Sequence, residues 1–387
     1  MNLDFDEAQL MLRTQARDFI TQKCPTSLAR EIALTDKGYS EEIWSGMAEL
    51  GWMSIPFPEQ YGGADMSLFE MLIILEEMGR GVVLSPYLST MLCGLAISEF
   101  GTETQKQQLL PRIANGEIIL ALAWTEPSAS LEPSGVVLKA TKGKGPKYSL
   151  VGTKLFCPDA NIADKLLVVA RTAPAAENDP CYGISLFICP AKDPAVLCFL
   201  QPSIGLDNQS QVEFVNLVVD EEDELGELNQ GWVIVEKILK WGALGKCAEM
   251  IGATGKTLEM SIEYANDRVA YGKHIGSFQI QQHRIADMWI DLESSRNYFY
   301  ETGWRVSNGD DDPIIVFKTK AMVSDMAEEV TEKATRLHGA IGITWDHDLG
   351  LHYRRVRGAS LMFGNSSYHK QRIAKILQKQ IIETGHL

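Results

Sequence analysis

The sequence predicts an α+β protein in three blocks: an N-terminal all-α domain, a middle small β-sheet or barrel domain, and a C-terminal α-helical bundle. Three observations carry this expectation. Apolar residues recur at helical spacing from residue 4 to about 113. Short β-branched runs bounded by Pro, Gly, Asn and Asp fill the stretch from Glu117 to about Gly226. After "LNQGW" (228–232) long helical periodicity returns and continues to the end. The expected domains are therefore 1–116, 117–226 and 227–387.

The elements follow in order. Leu12, Ala16, Phe19 and Ile20 mark a first helical face, and Ile43, Met47 and Leu50 another, with Gly51 as its stop signal. Ser67 to Glu70 and Thr102 to Gln105 have the spacing of capping boxes. Between the two groups, "PFPEQYGGAD" (56–65) reads as a rigid Pro/Gly-rich loop. In the middle block "IILALAW", "GVVLKAT", "YSLVGTKLF", "KLLVVAR", "GISLFIC" and "VEFVNLVV" read as strands. The last block divides into helical segments of about 232–270, 276–308, 312–338 and 347–382, with "SNGDDDP" (307–313) as a turn.

Composition narrows the function. Hydrophobic residues make up 45% and charged residues 22% of the 387, as in an ordinary soluble domain protein. The formal net charge of −15 repels nucleic-acid phosphate and anionic lipid, although a local basic patch can still meet a phosphorylated ligand. The apolar run "EIILALAW" (117–124) is far too short for a membrane span. The N-terminus "MNLDFDEAQL" has no basic-then-apolar signal pattern, so a cytoplasmic protein is expected, with no nucleic-acid and no membrane partner. Seven cysteines without a C-x-x-C pair argue against a disulfide framework and a zinc site. In "WDHDLGLH" the spacing of His347 and His352 does not match a helical i, i+4 ligand pair, and the stretch reads as a polar turn entering a helix.

Three stretches carry a resemblance. They are "IPFPEQYGGADMSLFEMLIILEEMGR" (55–80), "ALAWTEPSAS" (121–130) and "RVAYGKHIGSFQIQQHRIADM" (268–288). In this order and over this helical–β–helical texture, the chain resembles the acyl-CoA dehydrogenase family. The resemblance implies a flavoprotein, usually a tetramer, that holds FAD between subunits and an acyl-CoA substrate against the flavin ring. In such enzymes a base removes the proton next to the thioester carbonyl, and the flavin accepts a hydride from the next carbon. An electron-transfer flavoprotein is the family's habitual acceptor.

By that resemblance, Arg268 falls where the family's arginine meets the FAD diphosphate of a neighbouring subunit. Tyr271, Phe278 and Gln279 match the surrounding cofactor-binding motif. Trp124 and Thr125 fall on the strand edge that faces the flavin ring; a core role for Trp124 is the alternative. Arg336 stands where the family has a glutamine at the adenine-side turn, Gly339 matches a glycine there, and Ala340 replaces another. Asn365 and Gly364 match the C-terminal turn, on the cofactor and substrate sides respectively. Leu131 replaces the polar serine that approaches flavin and substrate. Phe156-Cys157-Pro158 replaces a Trp-Ile-Thr/Ser, and Pro158 has no backbone N–H to offer.

A gapless count from Arg268 places the family's catalytic glutamate on Phe363, which cannot accept a proton. The other position at which family members carry that glutamate falls on Gly242. No catalytic residue is therefore expected at either family position. The pattern implies the base-less subunit of a heterotetrameric acyl-CoA dehydrogenase, in which a related chain supplies the base and ring pocket. Such enzymes act in steroid side-chain and some dicarboxyl-CoA degradation. Alternatives stay open: a homomeric enzyme using an acid such as Glu236 or Glu249, a fold relative with other acyl-CoA chemistry, or a flavin-free scaffolding subunit.

Overall fold

The computed structural model describes residues 4–384; the outermost ends of the two expected terminal domains lie outside them. Six helices come first: α1 (Glu7–Lys23), α2 (Thr26–Ile32), α3 (Glu41–Glu49), α4 (Leu68–Arg80), α5 (Tyr87–Phe100) and α6 (Glu103–Ala114). Eight strands follow: β1 (Leu120–Ala123), β2 (Lys139–Lys142), β3 (Lys147–Pro158), β4 (Lys165–Arg171), β5 (Ile184–Pro190), β6 (Val196–Gln201), β7 (Gln209–Asp220) and β8 (Glu224–Leu225). The C-terminal part is α7 (Trp232–Asp267), the short β9 (Val269–Ala270) and β10 (Lys273–His274), α8 (Gln279–Ser307), α9 (Pro313–His338), α10 (Asp348–Leu361) and α11 (Ser366–Thr384). The helical–β–helical order expected from the sequence is the observed one.

The chain gathers into two compact units. One contains the segment up to Arg30, Ser67–Val83 and everything from Ala243 onward. Its helices approach closely where side chains are absent. A β-carbon on Gly252 of α7 would strike the backbone of α4 at Glu76 and Arg80. Helix α4 begins with the expected capping box, in which Ser67 caps the first turn and Glu70 returns to the Ser67 N–H at 2.8 Å.

The other unit contains Glu31–Met66 and Leu84–Gly242. Its sheet runs β6-β7-β3-β2-β4-β5-β8, with β1 added in parallel against β4. Strand β1 is buried at every residue and β4 at all but its ends, which is why both read as continuous apolar runs. The loop at 56–65 folds back on its own start, with Asp65 N–H donating to Phe57 O and Met66 N–H to Ile55 O. Nearby, Tyr87 Oη donates to Trp52 O at 3.0 Å in the core.

Two features differ from the sequence expectation. Strand β6 is absent from it: the run is half exposed and lies at the sheet edge, so its pattern neither alternates cleanly nor reads as buried. The expected helix 347–382 is two helices, α10 and α11. Phe363 (φ +55°) and Gly364 (φ +94°) both take left-handed backbone angles between them, which a continuous helix cannot contain. No helix among the described residues is long and apolar enough to cross a membrane.

Candidate functional site

Helix α7 ends at Asp267, and the chain reverses through the antiparallel pair β9 and β10. The two turn residues, Tyr271 (φ +52°) and Gly272 (φ +80°), are both left-handed, as a two-residue hairpin that matches strand twist requires. A tyrosine rarely adopts this angle. Its ring is 94% exposed and stands edge-on to Phe278 at 6.3 Å, while the Lys273 ammonium lies 4.4 Å from the Phe278 ring centroid. The exposed Arg268 side chain makes no hydrogen bond or ion pair with any described residue; only its backbone is engaged, with Tyr264 and Ile275. Gln279 is exposed at the first turn of α8, and Phe278 gives that helix no side-chain cap. A free guanidinium, a nearby ammonium and an uncapped helix N-terminus suit an anion. These donors fit the diphosphate of FAD.

The hairpin is tied to the end of α9. Ala265, Ile275 and Leu337 form a buried cluster against which Tyr264, Phe278 and Ile285 lie. The Tyr264 ring stacks on His338 at 4.4 Å, and the His338 Nδ1 lies 2.9 Å from Ala334 O. Burial lowers the pKa of His338. The stretches around Arg268 and Gly339 thus belong to one local structure. Gly339 has φ +71° and ψ −146°, a combination open essentially to glycine alone. Arg336 is exposed but bridges to Glu332 one turn earlier on α9, so its guanidinium already has a carboxylate partner.

In the sheet-bearing unit, Trp124 is buried and Thr125 half-buried just past the end of β1. Their carbonyls accept from Lys154 Nζ (3.1 Å) and Leu155 N–H (2.9 Å), respectively. Glu126, directly after these two motif positions, is the residue that sequence reasoning missed. It is buried, it accepts from Lys154 Nζ at 2.7 Å, and it accepts from the N–H groups of Val137 and Leu138 at 3.0 Å. The signal was present as an acid between an apolar strand and a proline, 28 residues before a lysine inside a strand pattern.

Leu131 is half-buried and precedes a turn at Pro133–Gly135. Arg171 on β4 holds that turn, donating to Pro133 O (2.7 Å), Val136 O (3.1 Å) and Tyr182 O (2.8 Å). On β3 the ladder to β7 slips between Lys154 and Cys157, where Phe156 turns left-handed (φ +53°) and leaves its ring 56% exposed. Cys157 is buried, and Pro158 sits opposite Gln209 without an N–H to donate. The backbone at 158 therefore has no N–H to donate toward a flavin edge.

At the C-terminal turn Phe363 is half-buried, and its carbonyl faces His369 Nε2 at 3.0 Å. Asn365 caps α11: its side-chain oxygen accepts from Tyr368 N–H at 2.9 Å, and its carbonyl from His369 N–H at 3.1 Å. Gly364 is buried, and a β-carbon there would meet the Tyr368 ring and His369 Nε2. Gly242 is buried within α7. Of the two alternative acids, Glu249 accepts from Lys246 (2.9 and 3.0 Å) and from Arg355 (2.9 Å), and Glu236 is exposed. His347 caps the start of α10, as the polar-turn reading expects, and His352 lies buried inside that helix.

Comparison with known proteins agrees with this architecture. The family models "Acyl-CoA dehydrogenase, N-terminal domain", "middle domain" and "C-terminal domain" match residues 6–117, 121–217 and 229–378. A 3-(aryl)acrylate reductase of Clostridium sporogenes is 30% identical over 383 residues, covering 97% of this chain and 100% of that protein. The structure of butyryl-CoA dehydrogenase from Megasphaera elsdenii superposes with a TM-score of 0.90 at 26% identity, covering 98% of this chain and 100% of that one. A chain of the ChsE4-ChsE5 complex from Mycobacterium tuberculosis shares the fold, with a TM-score of 0.88 at 24% identity over 98% of this chain and 99% of that one.

Proposed function

The chain belongs to the acyl-CoA dehydrogenase family, and from that premise we propose that it is the base-less subunit of a hetero-oligomeric, FAD-dependent acyl-CoA dehydrogenase. Its partner is a related chain that carries the glutamate. The domain division 1–116, 117–226 and 227–387 is part of this reading, and the spans of the three family matches support it.

The observation that carries the proposal is Phe363. A phenyl ring occupies the family's base position, and Gly242 offers no side chain at the other. Proton transfer needs a group within hydrogen-bond reach of the carbon acid and a pKa suited to the task. Neither position supplies one, and Glu249 is already bound by two cations.

Bound FAD would supply the hydride acceptor for desaturating an acyl thioester. This chain's own contribution is to bind and orient. Arg268 would meet the diphosphate, with Tyr271, Phe278 and Gln279 shaping the same surface. The unpaired state of the Arg268 guanidinium supports that role, because a rigid fork of donors left without a carboxylate is free for a phosphate. Leu131 and Pro158 speak against a complete ring pocket of its own, since the first lacks a polar group and the second an N–H. Electrons would pass on to an electron-transfer flavoprotein.

The chain should be purified alone and after co-expression with related chains from its host. Expected alone are little flavin absorbance and no enone formation from acyl-CoAs. Expected with the right partner are stoichiometric FAD and turnover. Stoichiometric FAD and steady turnover from the lone chain would reject the proposal.

A further inference from the structure

The turn that carries Phe363 is gripped by buried polar side chains on both of its flanks. Lys320 of α9 is fully buried, and its ammonium donates to Ala359 O (3.2 Å), Ser360 O (2.9 Å) and Ser324 Oγ (3.1 Å). Those two carbonyls belong to the last turn of α10, where a cation is favoured and the backbone acceptors have no helical partner. On the other flank, His369 of α11 is 2% exposed, and its Nε2 lies 3.0 Å from Phe363 O. A carbonyl oxygen only accepts, so Nε2 must carry the ring proton. The opposite nitrogen, Nδ1, is buried and has no hydrogen-bond partner among the described residues.

The backbone between these anchors is unfavourable by itself. Phe363 holds φ +55°, an angle that an aromatic residue rarely takes, and Gly364 follows at φ +94°. Such angles persist where the surroundings over-determine them. Here the surroundings are specific: a β-carbon on Gly364 would come within 2.8 Å of His369 Nε2 and within 2.5 Å of the Tyr368 ring. Lys320 on α9 and Arg372 on α11 are the charges that face His369, and the Phe317 ring of α9 lies against it at 5.5 Å. Both charges are positive, so a second proton on His369 is disfavoured by them as well as by burial.

We propose that His369 is a positioning residue which, as the neutral Nε2–H form, locks the Phe363–Gly364 turn and holds the Phe363 ring as a fixed occupant of the family's base position. The proposal rests on the reading of Phe363 given above, but it concerns the lone chain and needs neither flavin nor partner. Loss of the N–H donor releases the turn; loss of the ring with the donor kept does not. Glutamine places an N–H where Nε2–H stands, and leucine fills a similar space without one.

The test is fluorine NMR of the full chain labelled with 4-fluorophenylalanine, with the Phe363 line identified by its disappearance in Phe363→Leu. One Phe363 line is expected in the native chain and in His369→Gln, and two lines or a broadened one in His369→Leu. An unchanged line in His369→Leu, or equal disturbance by Gln and Leu, overturns the proposal. Should the Leu variant not fold, the nitrogen spectrum of His369 in the native chain decides. A neutral, Nε2-protonated ring from pH 5 to 8 is expected; the Nδ1–H tautomer or a titration near pH 6.5 overturns the proposal. Flavin in the lone chain would sink the hetero-oligomer reading without touching these spectra.

Discussion

Lys154 and Glu126 form an ion pair inside the sheet-bearing unit, 2.7 Å from Nζ to Oε1, with neither side chain more than 2% exposed. Lys154 also holds the Trp124 carbonyl just past the end of β1, and Glu126 fixes the approach to β2 through the Val137 and Leu138 N–H groups. Desolvation lowers the pKa of Lys154 despite the carboxylate beside it. Removing one partner of such a pair leaves a buried charge uncompensated, at a cost of roughly 3–5 kcal/mol. Lys154→Met and Glu126→Gln should each lower the urea midpoint strongly, and the double variant should lose much less than the sum. Additive losses in that cycle would mean the two residues act independently.

Arg268 leads to a second expectation, placed on assembly and not on folding. Its side chain is exposed and makes no contact with a charged group among the described residues, so Arg268→Ala should leave the thermal midpoint of the lone chain unchanged. In the hetero-oligomer proposed above the same change should weaken FAD retention by about ten- to a hundredfold, since a hydrogen bond to a charged group contributes roughly 1.5–3 kcal/mol. Flavin content after gel filtration measures this. Full retention in the variant complex would remove Arg268 from the cofactor surface.

Acid should destabilise the chain in a defined window. Burial, reinforced for His369 by Lys320, pushes His352 and His369 down to about 4. An unfolded histidine titrates near ~6.5. Between these values the unfolded chain binds protons that the folded chain does not, so stability rises with pH across the window and is lost as pH falls from about 6.5 toward 4. Each residue contributes on the order of a few kcal/mol at the upper end. Urea midpoints at pH 7 and pH 5 should differ less in His352→Gln and His369→Gln than in the native chain. Equal pH dependence in all three proteins would show that these imidazoles are not held neutral.

Helix and strand texture was legible because it is local. The capping boxes at Ser67 and Thr102 announce helix starts by the spacing of two side chains, and both form as read. The buried β1 and β4 are continuous apolar runs. Strand β6 escaped because an edge strand half exposed on both faces has no characteristic period. The break at Phe363 was visible only as a Gly-Asn-Ser turn, and the helical spacing on either side bridged it. The long-range partners could not be read: nothing near Phe363 in sequence points to Lys320, and Glu126 finds Lys154 only when β1 and β3 have come together. The ion pair of Arg336 with Glu332, one turn earlier on α9, did not enter the sequence reading of Arg336, which rested on the resemblance alone.

Phe363→Glu should not by itself make a dehydrogenase of this chain. The change puts a carboxyl group on a turn whose backbone stays pinned by His369 and whose preceding helix stays capped by Lys320. Proton removal accelerates a reaction only when the carbon acid is held within reacting distance, and that positional effect accounts for several kcal/mol of any such rate. Leu131 and Pro158 are unchanged by the substitution, so the polar group and the N–H missing from those positions stay missing. The glutamate, half-buried as the ring was, would also be pushed toward its protonated form, which cannot act as a base. The assay is enone formation by the isolated variant over a panel of acyl-CoAs, with FAD and an artificial electron acceptor supplied. Turnover at background level is expected. Robust turnover would mean that the lone chain holds flavin and thioester correctly, and that the phenyl ring alone had silenced it.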